Sequence, residues 1–214
     1  MILAVTAGNL TRITLVLLVA MLVLAGCATT PPNNRDNVCE IFREKRGWYH
    51  DANRASRRWG APIPVMMSFM YQESSFVAKA KPPRTKLLWI IPWKRPASAK
   101  GYSQATDETW SAYKKATGQW VANRAAFDDA IDFMGWYIDQ SYRSNRISKE
   151  DAYHGYLAYH EGQGGFSRRS FRDKQWLKDA ATQVAERARL FTSQLNRCEK
   201  ELRRPWFIRI LPFF

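Results

Sequence analysis

Between Pro64 and Phe76 the chain is almost continuously apolar, and at helical spacing Met66, Phe69, Met70 and Glu73 share one face, so the inward stripe ends in a carboxylate. A carboxyl in apolar surroundings keeps its proton to higher pH and becomes a donor near neutrality. A solvent-exposed Glu at a helix end is the plainer reading of the same spacing. Upstream, Ile41, Phe42, Trp48, Ala52, Ala55 and Trp59 recur at helical intervals across 38–59 with Gly60 as a stop, and Pro62 and Pro64 suit the first turn of the helix bearing Glu73. Downstream, Thr106 caps a helix through Thr109, Trp110, Tyr113 and Ala116 that stops at Gly118. A longer one runs from Ala125 to Arg146 with Phe127, Ile131, Met134 and Ile138 on one face. Ser148-Lys149-Glu150-Asp151 reads as a capping box opening a helix through Ala152, Tyr156 and Tyr159 that ends at Gly162-Gln163-Gly164-Gly165. The last helix, from Asp173 to Leu202, carries Trp176, Ala180, Val184, Ala188, Phe191 and Leu195. No stretch sustains strand-like alternation, so the expected class is all-α.

Two segments break this pattern. Between Glu73 and Gly101, the basic Lys79-Ala80-Lys81-Pro82-Pro83-Arg84 leads into the apolar Leu87-Leu88-Trp89-Ile90-Ile91-Pro92-Trp93, where Pro92 argues against a central strand or an unbroken helix. The tail after Arg204 repeats that chemistry in Trp206-Phe207-Ile208-Arg209-Ile210-Leu211-Pro212-Phe213-Phe214. Aromatic rings flanked by cations suit a bilayer interface, and equally suit packing on the domain.

The 214 residues carry a net charge of +14, which calls for an anionic partner. Near the amino end, Arg12 precedes the apolar run Leu15 to Ala25, closing on Leu24-Ala25-Gly26-Cys27; it is short for a membrane span and resembles a bacterial lipoprotein signal peptide, cut before the Cys27 that takes the lipid. Export argues against nucleic acid and turns the charge toward phospholipid or cell wall. Residues 27–37, with Thr29-Thr30-Pro31-Pro32-Asn33-Asn34, then read as a tether. The expected organisation is 1–26 signal, 27–37 tether, 38–204 helical domain and 205–214 apolar and basic tail. With Cys27 lipidated, Cys39 and Cys198 remain, and an even pair in an oxidising compartment should bridge; two free buried thiols are the alternative.

Three segments carry the chemistry: Gln72-Glu73-Ser74-Ser75-Phe76, Gly101-Tyr102-Ser103-Gln104, and Ala158-Tyr159-His160-Glu161-Gly162-Gln163-Gly164. Their order and spacing resemble the lytic transglycosylases of the soluble (SLT) family, over roughly Trp48 to Trp176. The resemblance implies a lysozyme-like helical domain, here with a long apolar and basic insert after the catalytic helix, acting on peptidoglycan without a cofactor. It makes Glu73 the catalytic acid, Ser74 its neighbour, Gln104 a groove residue, and Tyr159 the tyrosine whose hydroxyl holds the Glu73 carboxyl. His160 stands where the family has asparagine, and Tyr102-Ser103 where Leu-Met is common.

In that family a single carboxyl protonates the glycosidic oxygen between N-acetylmuramic acid (MurNAc) and N-acetylglucosamine (GlcNAc), then deprotonates the C6 hydroxyl, giving a 1,6-anhydro sugar. A hydrolysing muramidase instead uses a second carboxylate, for which Asp107, Glu108 and Glu161 are candidates, the first two being better suited to a helix first turn. A non-catalytic lipoprotein that binds glycan or an envelope partner is a further alternative, left open by His160. The three histidines, His50, His154 and His160, lack zinc-binding spacing, so no metal is expected. Trp110, Trp120, Trp136, Tyr153 and Tyr156 could stack on sugars or fill a core. Ala28 after Cys27 favours, by resemblance, the periplasmic side of the outer membrane over the inner.

Overall fold

The computed structural model describes residues 30–81, 86–87, 91–92 and 98–203. The chain divides into two compact units, Met1–Thr30 and Pro31–Phe214, and every helix and strand described belongs to the second. The signal segment, Cys27, the centre of the apolar insert and the tail after Arg203 lie outside the described residues. In chain order the elements are α1 (Val38–Glu44), α2 (Trp48–Trp59), α3 (Ile63–Ser74), β1 (Lys86–Leu87), β2 (Ile91–Pro92), α4 (Asp107–Thr117), α5 (Phe127–Asn145), α6 (Ala152–Ser167) and α7 (Gln175–Leu202). The class is all-α, as the periodicity predicts. Within the insert β1 and β2 pair antiparallel, Lys86 opposite Pro92, and in a two-stranded ribbon both strands are edges, where proline is tolerated.

Local chemistry sets the helix ends. Gly60 and Gly118 adopt left-handed conformations (φ 66° and 73°) and stop α2 and α4, and the Thr106 side chain caps α4 by accepting the Thr109 N–H at 3.2 Å. Three expectations shift. The helical stretch across 38–59 divides at Lys45–Gly47, where Lys45 leaves helical geometry (ψ 74°) and glycine restarts the chain. Asp151, not Ser148, caps α6, accepting the His154 N–H at 3.0 Å, while the Ser148 hydroxyl is spent on the Glu150 carboxylate. And α6 does not end at the glycines: it kinks at Gly162 (φ 74°, ψ 162°) and continues to Ser167.

The core sits around α3, whose residues 63–70 are buried on every side because the helix packs along α7 and also meets α5 and α2. A second aromatic cluster, Trp110, Tyr113, Phe133, Trp136 and Tyr137, joins α4 to α5. Two acids on α5 anchor it from below. Asp132 accepts from Trp59, Tyr113, Gln119 and Arg58, and the buried Asp139 accepts from Arg143 and Lys149. The Lys149 ammonium also donates to the carbonyl of Trp59.

Residues 33–37, expected as tether, are instead bonded into the domain. Asn33 N–H reaches Glu44 at 2.9 Å, and Asp36 accepts from Tyr71 at 3.2 Å and from Arg187 at 2.7 Å. Cys39 and Cys198 form a disulfide between α1 and α7 across a separation of 159 residues, worth about 5 kcal/mol on a chain-entropy account.

Candidate active site

Glu73 sits where α3 leaves the core. The eight residues before Tyr71 are buried, and Tyr71 to Ser75 are half-buried, so the carboxyl stands at the edge of an apolar floor. Burial raises its pKa from 4.5 to about 7, against the opposing effect of a hydrogen bond donated by the Tyr156 hydroxyl. Burial first, and then the charge on Glu73, push Tyr156 and Tyr159 above the ordinary phenol range, so both act as donors. Phe69, one turn before Glu73, holds both rings edge-on, with centroids 5.5 Å from Tyr156 and 5.7 Å from Tyr159. Gly155 allows this approach, since a Cβ there would meet the Phe69 ring at 3.2 Å.

Immediately after Glu73 the chain turns on two left-handed non-glycine residues, Ser75 (φ 48°) and Phe76 (φ 61°), a conformation that costs roughly 1 kcal/mol or more per residue. Packing offsets it: Phe76 is fully buried against Trp48 and Tyr71, with both centroids at 6.0 Å.

The segment 101–104 ties the other two together. Ser74 donates its hydroxyl to the Tyr102 carbonyl at 2.7 Å, and the Tyr159 hydroxyl donates to the Ser103 carbonyl. Gly101 is required where it stands, at φ 82° with a Cβ position only 2.2 Å from the Arg124 carbonyl, which accepts the Tyr102 N–H at 3.1 Å. Gln104, itself left-handed at φ 49°, donates its amide to the carbonyls of Gly101 (2.7 Å) and Ala80 (3.0 Å).

So the three segments meet, with two roles redistributed. Tyr159 secures the 101–104 backbone rather than bonding Glu73, and Tyr156, one turn earlier on α6, takes the carboxyl. The amide nitrogen of Gln104 is occupied by main chain, while the residue lines a small cavity of about 60 Å³ with Thr106, Thr109, Phe133, Tyr137 and Tyr159. Tyr156 was foreseeable only as an aromatic three residues before Tyr159, close to it on the helix surface. A cavity of about 620 Å³ lies at the opposite end of α3, against Pro62 to Val65.

His160 is exposed and touches the Glu161 carboxylate at 3.2 Å and the Trp176 ring edge-on at 5.0 Å. Trp176, expected on the inward stripe of the last helix, is 58% exposed. Glu161 is held by Lys174 at 2.7 and 2.9 Å and by the Ser170 hydroxyl. Burial would raise its pKa, but hydrogen bonds from Lys174, Ser170 and His160 hold it at about 2. Asp107 and Glu108 occupy the first turn of α4, and Asp107 is paired with Arg124. No cluster of His, Cys, Asp and Glu among the described residues is placed to hold a metal ion.

A family model described as transglycosylase SLT domain matches residues 15–198, a span containing all three segments and reaching beyond both ends of the resemblance. The chain belongs to that family. No curated protein matches it. As a member of the SLT family it is a lysozyme-like lytic transglycosylase acting on peptidoglycan. Within an SLT-family site, a half-buried glutamate bonded by a tyrosine has a direct chemical use.

Proposed function

We propose that this SLT-family enzyme cleaves the β-1,4 bond between MurNAc and GlcNAc with Glu73 as its one acid and base, releasing 1,6-anhydroMurNAc ends. The supporting observation is the contrast in protonation: Glu73 is poised at about 7 with no carboxylate among the groups that shift it, while Glu161 is locked as an anion by Lys174. Protonated Glu73 gives its proton to the glycosidic oxygen as the C1–O bond breaks and an oxocarbenium-like centre develops. The resulting carboxylate, stabilised by the Tyr156 hydroxyl, takes the proton of the C6 hydroxyl as that oxygen closes on C1. Water enters no bond, and the acid is regenerated.

The lipoprotein-like Leu24-Ala25-Gly26-Cys27 supports anchoring through Cys27 on the periplasmic side of the outer membrane, with Leu87 to Trp93 and Trp206 to Phe214 as auxiliary membrane contacts.

Product mass tests the mechanism. Wall sacculi digested with the purified domain should release muropeptides one water lighter than hydrolysis products, and Glu73→Gln should bind sacculi and release none; reducing-end products would overturn the mechanism. For the anchor, a labelled fatty acid fed to the cells should be incorporated into the wild type and not into Cys27→Ala, and an unlabelled wild type would rule out lipid at that thiol.

A further inference from the structure

Behind the 101–104 turn lies a cavity of about 550 Å³ whose lining includes Lys79, Lys81, Lys100, Lys114 and Arg124 and, among the described residues, contains no acidic one. Two acids bond its lining residues and both are engaged: Asp107 by Arg124, with Lys100 3.7 Å away, and Asp129 by the Asn123 N–H at 2.7 Å. Arg124 is further committed to the Ala105 carbonyl at 2.7 Å. The side-chain ammonium groups of Lys79, Lys81 and Lys114 have no ion-pair or hydrogen-bond partner among the described residues. Like charges converging on one concavity repel each other, so this arrangement is stabilised by an anion that fills it.

We infer that this cavity is a subsite for the carboxylates of the peptide branches of peptidoglycan, an inference that rests on the glycan cleavage proposed above. Location supports it. One wall is Gly101 and Ala80, the backbone that holds Gln104, and the same turn is bonded to Ser74 beside Glu73. A stem of four or five residues extends about 15 Å from the sugar that carries it. The remaining walls are small, with Ala78, Ala122 and Ala125 leaving room for a chain to enter, and Trp110 forms an apolar floor. Anionic phospholipid would also be drawn to these cations, but a recess suits a branch that projects inward better than headgroups arrayed in a plane.

The test uses the triple variant Lys79→Gln, Lys81→Gln, Lys114→Gln on wall glycan with its peptides and on the same glycan stripped of them by an amidase. The expected result is a loss of about ten-fold in kcat/KM on the peptide-bearing strands and wild-type rates on the stripped strands. No loss, or equal loss on both, overturns the subsite. Calorimetric titration with the free tetrapeptide L-Ala-γ-D-Glu-diaminopimelate-D-Ala tests it without turnover: binding by wild type and not by the variant supports the inference, and no binding by wild type overturns it. If wild type binds the tetrapeptide yet cleaves neither glycan, the cleavage reading fails while the subsite stands. Binding to phosphatidylglycerol vesicles that the three substitutions abolish, without tetrapeptide binding, would make the cavity a lipid site and overturn the inference.

Discussion

Two glutamates near the ends of neighbouring helical segments have opposite fates. Glu73 and Glu161 are both largely withdrawn from solvent, yet one is raised to about 7 and the other depressed to about 2. Burial pushes both upward. What separates them is the donors within reach. Glu73 is offered one neutral hydroxyl by Tyr156, while Glu161 receives an ammonium, a hydroxyl and an imidazole from Lys174, Ser170 and His160. A neutral donor only moderates the cost of burial; a cation cancels it. The kinked end of α6 therefore uses its carboxylate to fasten the loop leading to α7, and α3 leaves its own able to exchange a proton.

The largest effect should come from removing the exchangeable proton. Glu73→Gln should reduce turnover by about 10²–10⁴-fold. Because the pKa of Glu73 is raised on folding, its stabilising protonation is complete below about 4.5 and lost as pH rises through about 7. At pH 8 the Gln variant should thus be more stable than wild type, by roughly 1–3 kcal/mol in urea titration, with the gain vanishing at pH 4. An equal or lower stability at pH 8 would mean the carboxyl is well solvated.

A smaller effect is expected at the other glutamate. Lys174→Met strands the Glu161 anion and should cost about 1–3 kcal/mol, discounted because Lys174 is itself 40% exposed, while turnover stays within a few-fold of wild type. The sign with pH reverses here: the depressed Glu161 contributes stability above about 4.5 that is lost as pH falls toward 2, so wild type and Lys174→Met should converge in acid. A large loss of turnover without loss of stability would instead place Glu161 in the chemistry.

The smallest is a shift along the pH axis. Tyr156→Phe removes the one hydrogen bond that lowers the Glu73 pKa, so the alkaline limb of kcat/KM should move up by a fraction of a pH unit. Tyr159→Phe, which loses its bond to Ser103, should leave that limb in place and raise KM. If Tyr159→Phe moves the limb and Tyr156→Phe does not, the two tyrosines have been assigned the wrong way round.

Much of the fold was legible in the residues because it depends on local periodicity. Glycine stops at Gly60 and Gly118, the Thr106 cap and the apolar stripe ending at Glu73 each need only a few neighbouring residues to be recognised. What escaped depends on rotation about a helix axis or on partners distant in sequence. Whether Tyr156 or Tyr159 meets Glu73 turns on where α6 faces α3, and the Ser103 carbonyl that claims Tyr159 lies 56 residues away. Trp176 fits the spacing of the apolar residues of α7, yet the buried stripe runs through Leu177, Ala181 and Val184, so the ring one position earlier turns outward and meets His160. The tether reading of 33–37 failed for a related reason. A polar, Asn-rich stretch has no core of its own, but its polar groups found fixed partners in Glu44, Tyr71 and Arg187.

The bridge from Cys39 to Cys198 makes the domain a mechanical short circuit. Tension applied between the two ends of the chain would pass from the start of α1 through the sulfurs into the last turns of α7, leaving α2 to α6 and the Glu73 carboxyl unloaded. For a protein that cuts a wall under turgor, that route would let the chain be pulled at its ends without distorting the site.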